Sequence, residues 1–560
     1  LRGSHIQKVK LVVVTVLSMQ LLSACQDDAS NRTVEPDLYP GTTLYDHPGL
    51  SKYEKPIDVS FVRQTSADFE ALLAELPGQT LEDNVWTRLY EQVLGVRVRY
   101  DWTAKGDSYG QKLNVSIASG ELPDIVKVNA EQLRQLTNAG LIHDLSDVYE
   151  QYATLFTKEI LSQEGSGPFD AATIDGKLMA IPETGSSIES AMVIWIRTDW
   201  LENLRLDPPR TMGDLLNLSK AFTEGDPDRN GEDDTYGLAI TNHIWDPVMG
   251  VTGFMAGFGA YPNLWLEDKS GKLVYGGIQP EVKTALAELR RLYAEGQLDP
   301  EFALKKGDKV KRQIADGRIG IVYGEQWGSF LVQDSRLSDA RANWQAFPIV
   351  SISGEAPKVP LKFNTGNFFA VSKRFEHPEA VVKLFNLHLE KNWGETAEFE
   401  TYYSNPQPVW QLSPVTPFPA KKNLEAFRQL DEARRTGGAS TLHDEAKAIQ
   451  KHIDTYLAGG ENKDEGWGWE RTYGPDGALA IIDRYERNGQ LLYDLYTGAP
   501  SVTMSERRSI LYDLQLEAYI NIILGNPVDE FEQFAEEWGL LGGDRITAEI
   551  NEWYAGKKNG

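Results

Sequence analysis

Apolar and polar residues alternate over Ile57-Asp58-Val59-Ser60-Phe61-Val62, the pattern of a strand whose successive side chains leave opposite faces. From Asn84 to Leu94 the period lengthens, which puts Val85, Leu89 and Val93 on one face of a helix. The strand pattern returns over Val96–Trp102, Asp107–Ser119 reads as a helix, and Gly120–Val126 reads as a turn entering a buried strand. Further along, Ala191–Arg197, Arg318–Tyr323 and Phe368–Val371 read as strands, and Asp199–Leu204, Met212–Phe222 and Glu281–Glu295 as helices. Thr211 and Asp214 form a capping-box-like start for the second of these helices, and Gly296 ends the third. Pro378 opens a helix through Leu389, at a position where its missing N–H costs nothing. Ala420–Gly560 reads mostly helical. Strands alternating with amphipathic helices predict an α/β fold with largely parallel strands, and no internal repeat interrupts the pattern.

The first residues read as an address. Arg2, Lys8 and Lys10 precede the apolar run Leu11–Leu22, which is too short for a stable membrane span but fits the core of a signal peptide. Leu22-Ser23-Ala24-Cys25 follows and resembles a bacterial lipobox, in which the Cys thiol receives diacylglycerol and becomes the first mature residue. Residues 1–24 are therefore expected to be a lipoprotein signal peptide. Residues 25–55, with Pro36, Pro40, Gly41, Pro48 and Gly49, are expected to be the lipidated Cys25 and a flexible tether. No later segment is apolar enough to span a bilayer, so the body is expected outside the cytoplasm, held to the cell membrane by its lipid.

Composition narrows the partners. The 560 residues allow two to four folding units, and a net charge of −26 excludes a nucleic-acid partner, which needs a basic face. Cys25 is the only cysteine, which rules out intramolecular disulfides and multi-Cys zinc sites. The 14 Trp are of more interest, because an indole is broad, flat and well suited to stacking on the apolar face of a pyranose.

Several phrases, read in order, resemble the family 1 extracellular solute-binding proteins: Gly120–Ile125, Gly176–Pro182, Trp195–Leu201, Pro209–Leu215, Gly296–Phe302, Gly317–Gly324, and Ala370–Lys373 with Pro378-Glu379-Ala380. Each phrase is weak alone; the shared order behind a lipobox is what carries the resemblance, over roughly residues 56–400. In size the chain is similar to the larger polysaccharide-fragment binders, including alginate-oligosaccharide-binding proteins. The resemblance implies a two-lobe, periplasmic-binding-protein-like α/β fold with a hinge and an interlobe cleft. The N-terminal lobe would be 56–186 plus 364–420, and the C-terminal lobe 187–363 plus 421–560, the last part helix-rich. The crossings would lie near Glu183–Ser190 and Lys362–Phe368. The implied function is that of a monomeric capture protein that binds an oligosaccharide and delivers it to the permease subunits of an ABC importer.

The sharpest chemical signal is Asp226-Pro227-Asp228-Arg229-Asn230-Gly231-Glu232-Asp233-Asp234-Thr235-Tyr236-Gly237. Oxygen side chains at alternate positions, with Gly231 at the sharp turn, match the start of an EF-hand-type loop. A structural Ca²⁺ is expected on Asp226, Asp228, Asn230, the backbone oxygen of Glu232, and Asp234, with Thr235 or water completing the shell. The usual bidentate Glu is missing, because Gly237 holds its position.

Ligand contacts are expected at crossings and strand ends. Candidates are Glu183 at the first crossing, Asn364, Thr365 and Asn367 at the second, Asn242, His243 and Trp245 after the strand Tyr236–Thr241, and Glu325 with Trp327 after Arg318–Tyr323. Trp410, Trp467 and Trp469 are expected in loops. The competing reading is a lipid-anchored, calcium-containing polysaccharide hydrolase or lyase. The chain has no Gly-x-Ser-x-Gly elbow, His-Glu-x-x-His pair or phosphate-binding Gly loop, although its 82 acidic residues leave room for a carboxylate pair.

Overall fold

The computed structural model describes residues 47–404, 407–438, 442–460 and 463–559. Cys25, the lipobox and the tether up to residue 46 lie outside the described residues.

In the first lobe, Ile57–Thr65 pairs in parallel with Val96–Lys105. Beside this pair stands a three-stranded sheet in the order Ile125–Asn129, Asn367–Val371, Ile181–Pro182. Ser60 ties the two together, its N–H donating to the Asp124 carboxylate and its Oγ accepting the Asp124 N–H. The second lobe has a four-stranded sheet in the order Trp344–Phe347, Val193–Arg197, Ile319–Gly324, Tyr236–Leu238. The strands are mixed in direction, not largely parallel as expected. Asn367–Val371 runs antiparallel to both of its neighbours, and so does Val193–Arg197. The cause is topological. Each of these strands receives the chain from the other lobe, so it starts at the sheet edge where its neighbours end or begin.

The helices follow the sequence periods closely. Asp107–Ser119 forms as expected. Met212–Glu224 starts on a full capping box, with Thr211 Oγ1 accepting the Asp214 N–H and the Asp214 carboxylate accepting the Thr211 N–H. Pro280–Ala294 stops before Gly296, whose φ of +73° only glycine adopts freely. The helix after Pro378 spans Ala380–Trp393 and is buried nearly all round, including Lys383, Asn386 and His388. Lys383 and Asn386 are satisfied by backbone carbonyls distant in sequence. Lys383 Nζ donates to the carbonyls of Pro48 and Ser51, and Asn386 Nδ2 to those of Gly49 and Tyr152.

Those bonds correct the tether boundary. Residues 48–53 are clamped to the first lobe, with Leu50 buried and a Cβ on Gly49 falling 1.9 Å from the Tyr152 carbonyl. The segment has no period of its own, and its side-chain partners Glu379, Lys383 and Asn386 lie over 300 residues away, so its composition alone read as linker.

Residues 422–559 are largely helical, and their apolar faces join one hydrophobic cluster that reaches from Ile188 to Ile550. A single strand, Leu491–Tyr493, pairs in parallel with Val359–Leu361. One expected loop is a helix, Lys463–Tyr473. Its glycines mark close packing, not a turn. A Cβ on Gly466 would lie 2.0 Å from the carbonyl of His452, on the neighbouring helix Asp444–Ala458, and one on Gly468 would strike Phe330 and Gln333. Among the described residues no helix is long and apolar enough to cross a membrane.

Candidate functional site

Strand register brings the crossings to one edge of each sheet. In the first lobe Asn367, where its strand begins, pairs with Asn129, where Ile125–Asn129 ends, and Ile181–Pro182 runs out into Glu183 at the same edge. In the second lobe Gly324 pairs with Val193, so Glu325 emerges beside the start of the incoming strand. Between the lobes, residues 183–192 and 362–366 pass against each other. Asn364 Nδ2 donates to the Ser186 carbonyl, and a Cβ on Gly185 would lie 2.1 Å from the Asn364 carbonyl oxygen. A third segment, residues 416–421, at the lobe boundary expected at 420/421, packs on the first crossing. There Thr416 Oγ1 donates to Glu183, the Phe418 N–H to Thr184 Oγ1, and Ser186 Oγ to the Ala420 carbonyl.

Beside the second crossing lies a cavity of about 600 Å³. The first lobe contributes Asn129, Ala130 and Glu131, the crossing Lys362–Gly366, and the second lobe His243, Trp245, Asn263, Trp265 and Tyr275. The C-terminal helices close the wall with Arg508, Leu511, Tyr512, Gln515 and Trp538. Aromatic rings dominate it. Tyr275 stacks on Trp538 with centroids 4.8 Å apart and planes 4° off parallel, and its hydroxyl donates to Gln515. Tyr512 is the most open of these rings, 36% exposed, and its hydroxyl bonds His243 Nε2 while His243 Nδ1 bonds Asp246. Asp494 Oδ1 accepts the N–H groups of Trp265 and Tyr496, and burial still pushes its carboxyl up to about 7. Such a wall offers flat apolar faces beside hydrogen-bonding groups, the combination a sugar ring presents in reverse.

The expected contacts divide. Trp245, His243, Asn364 and Thr365 lie on the wall, although Trp245 is only 4% exposed and packs edge-on against Tyr519. Asn367 adjoins the wall through its pairing with Asn129. Glu325 is not on the wall. Its Oε2 accepts the Trp327 Nε1–H at 2.8 Å, and burial pushes its carboxyl up to about 7 despite that bond and the field of Lys362. Glu183 is buried and ion-paired to Lys127 at 2.6 Å, so it braces the crossings.

The remaining expected tryptophans lie off this wall. Trp327 and Trp410 are half-buried off the wall, and Trp410 stacks on Tyr403. Trp469 stacks on His452 with centroids 4.8 Å apart, and Trp467 is fully buried between the guanidinium groups of Arg336 and Arg471. Both were read as loop residues, and the helix that carries them turns them into the second-lobe core. Missed altogether were Trp265, Tyr496, Tyr512 and Trp538. The one available signal was the aromatic and turn-rich run Tyr496-Thr497-Gly498-Ala499-Pro500.

The acidic loop lies between the helix Met212–Glu224 and the strand Tyr236–Leu238, and it does not line the cavity. Asp226, Asp228 and Asp234 all accept hydrogen bonds from Asn230, from its backbone N–H or its Nδ2. Burial and the neighbouring Asp226 and Asp234 raise the Asp228 pKa. Glu232 donates its N–H to Asn230 Oδ1. Thr235 departs from the expected ligand set. It is buried, and its hydroxyl donates to the Phe222 carbonyl at the end of the preceding helix. Among the described residues no group of three or more His, Cys, Asp or Glu is gathered as a metal site.

Known proteins of similar sequence and shape agree with this architecture. The chain is 24% identical over 488 residues to lipoprotein LipO of Bacillus subtilis (strain 168), covering 84% of this chain and 88% of that one. It is 30% identical over 226 residues to the polygalacturonan/rhamnogalacturonan-binding protein YtcQ of the same strain, covering 40% of this chain and 43% of that protein. The crystallised ABC-transporter substrate-binding protein FusA of S. pneumoniae, in complex with kestose, shares the fold at 17% identity. Its TM-score is 0.57, over 90% of this chain and all of that one. The profile of the bacterial extracellular solute-binding proteins matches residues 73–391, more than half of the chain, and the chain belongs to that family.

Proposed function

We propose that this protein captures an oligosaccharide in the cavity beside the hinge and delivers it to the permease of an ABC importer. The observation that carries the reading is the cavity of about 600 Å³ lined by both lobes and the second crossing, with aromatic rings from the second lobe and the C-terminal part on its wall. The ligands named for YtcQ and FusA, polygalacturonan/rhamnogalacturonan and kestose, support a saccharide of more than one ring. Three crossings packed on one another suit hinge closure, in which bound sugar favours the closed form by touching both lobes. Binding without cleavage is the reading favoured over a hydrolase. Raised carboxyls at Glu325 and Asp494 resemble tuned acids, but each is explained by burial, and Glu325 is held by Trp327. Titration with an oligosaccharide should show one saturable site and leave the sugar intact.

The protein is anchored outside the cytoplasm by lipid on Cys25 and acts as a monomer. LipO is itself named a lipoprotein, which supports the anchor. Cys25→Ser should move the protein from the membrane fraction to the medium; a variant that stays membrane-bound contradicts the anchor.

The loop Asp226–Asp234 holds a structural Ca²⁺. The fit rests on proximity: Asp228 and Asp234 share the Asn230 side-chain amide, Asp226 accepts the Asn230 backbone N–H, and an ion would replace these bonds and draw the Asn230 Oδ1 away from the Glu232 N–H. Asp226, Asp228, Asn230 and Asp234 would hold the ion, with the Glu232 carbonyl and water, and without Thr235. The ion would remove the repulsion among the carboxylates. A chelator should lower the melting temperature of the wild type and leave that of Asp228→Ala unchanged. Equal melting of the wild type with and without chelator contradicts the site.

A further inference from the structure

The cavity wall carries a cation with no direct partner. Lys362 lies on the second crossing and lines the cavity. Its ammonium makes no hydrogen bond or ion pair among the described residues, and burial lowers its pKa against the fields of Glu325 and Asp246. Those two carboxylates are engaged elsewhere. Asp246 accepts His243 Nδ1 at 2.8 Å and Thr241 Oγ1 at 2.6 Å, and Glu325 accepts Trp327 Nε1. The other charged groups on the wall are Glu131, Asp494, held by two backbone N–H groups, and Arg508, which also has no ion pair among the described residues. An ammonium that lines a binding cavity without a hydrogen-bonding or ion-pairing partner is available to receive an anionic group of the ligand.

We propose that Lys362 receives a carboxylate of the ligand, so that the saccharide taken into this cavity contains a uronic acid, with Arg508 adding positive charge to the same wall. The inference rests on the oligosaccharide reading above and narrows its substrate class. A carboxylate fits better than a phosphate or sulfate ester. The fields of Glu325 and Asp246 reach the ammonium, Glu131 lines the same cavity, and the chain carries −26 overall, so a denser anion is repelled.

The test is a calorimetric titration of the full-length protein with trigalacturonate, with its methyl ester, which keeps the rings and removes the charges, and with neutral kestose. Wild type should bind the acid about tenfold or more tighter than the ester, the size of one charge-assisted hydrogen bond. Lys362→Met should lose about tenfold or more of the affinity for the acid beyond any loss for the ester, with the melting temperature little changed, because no hydrogen bond or ion pair is removed. Lys362→Arg should keep the preference. Equal binding of acid and ester by wild type, or an equal loss for both in Lys362→Met, overturns the inference. Binding of kestose without trigalacturonate overturns it and leaves the oligosaccharide reading standing. Binding of none of the three sugars overturns both.

Discussion

Gly185→Ala should lower the melting temperature by several degrees and weaken sugar binding with it. The added Cβ would lie 2.1 Å from the Asn364 carbonyl oxygen, 2.4 Å from its carbon and 2.8 Å from the Thr365 nitrogen. All three obstacles are backbone, so no side chain can swing aside. Either the two crossings separate, or the strain stays, at about 1–3 kcal/mol or more for an overpacked site. Separation would also break the bond from Asn364 Nδ2 to the Ser186 carbonyl and shift Lys362–Gly366 on the cavity wall. Gly366→Ala is the matched control. It lies on the same crossing, and a Cβ there meets nothing within 4 Å. Equal melting of the two variants contradicts the packing of the crossings.

The second large effect concerns Tyr512. Its ring is 36% exposed at the cavity, whereas Trp538 on the same wall is 3% exposed. A sugar face laid on an open ring buries apolar area at about 25 cal/mol per Å², and a well-covered face is worth roughly 1–3 kcal/mol. Tyr512→Ala should therefore weaken oligosaccharide binding by about ten- to a hundredfold, since about 1.4 kcal/mol is a factor of ten. The melting temperature should change little. Trp538→Ala should instead cost stability, about 3–5 kcal/mol for a buried aromatic, because it removes the stacking partner of Tyr275 from the core.

These two residues mark where the sequence was legible. Local periodicity located the helix Asp107–Ser119, the capped start at Thr211 and the strand ending at Gly324, because one face of each is buried and the alternation records it. The crossings were found because they join such strands, and with them Asn364 and Thr365; Trp245 was found because it follows the strand that starts at Tyr236. Tyr512 was not found. It lies within the long helix Val502–Ile523, and it reaches the cavity only because that helix packs across Pro280–Ala294, a contact some 200 residues apart in sequence. Trp467 failed in the opposite way. Flanking glycines read as a turn, and only the close approach of the neighbouring helix shows why a helix needs them. Lys362 lay inside an expected crossing but was passed over, since a lone Lys between Leu361 and Phe363 gives no sign that its ammonium lacks a partner.

The central claim is that the cavity beside the hinge binds an oligosaccharide and does no chemistry on it. It is tested most directly by titrating full-length wild type and Tyr512→Ala, side by side, with the acidic and neutral saccharides above, and assaying the recovered sugar for new reducing ends. The account predicts a single saturable site in the wild type, at least tenfold weaker affinity in the well-folded variant, as expected for the loss of about 1.4 kcal/mol or more of stacking, and sugar recovered intact. Unchanged affinity in Tyr512→Ala, or reducing ends released in excess of the protein, would contradict it.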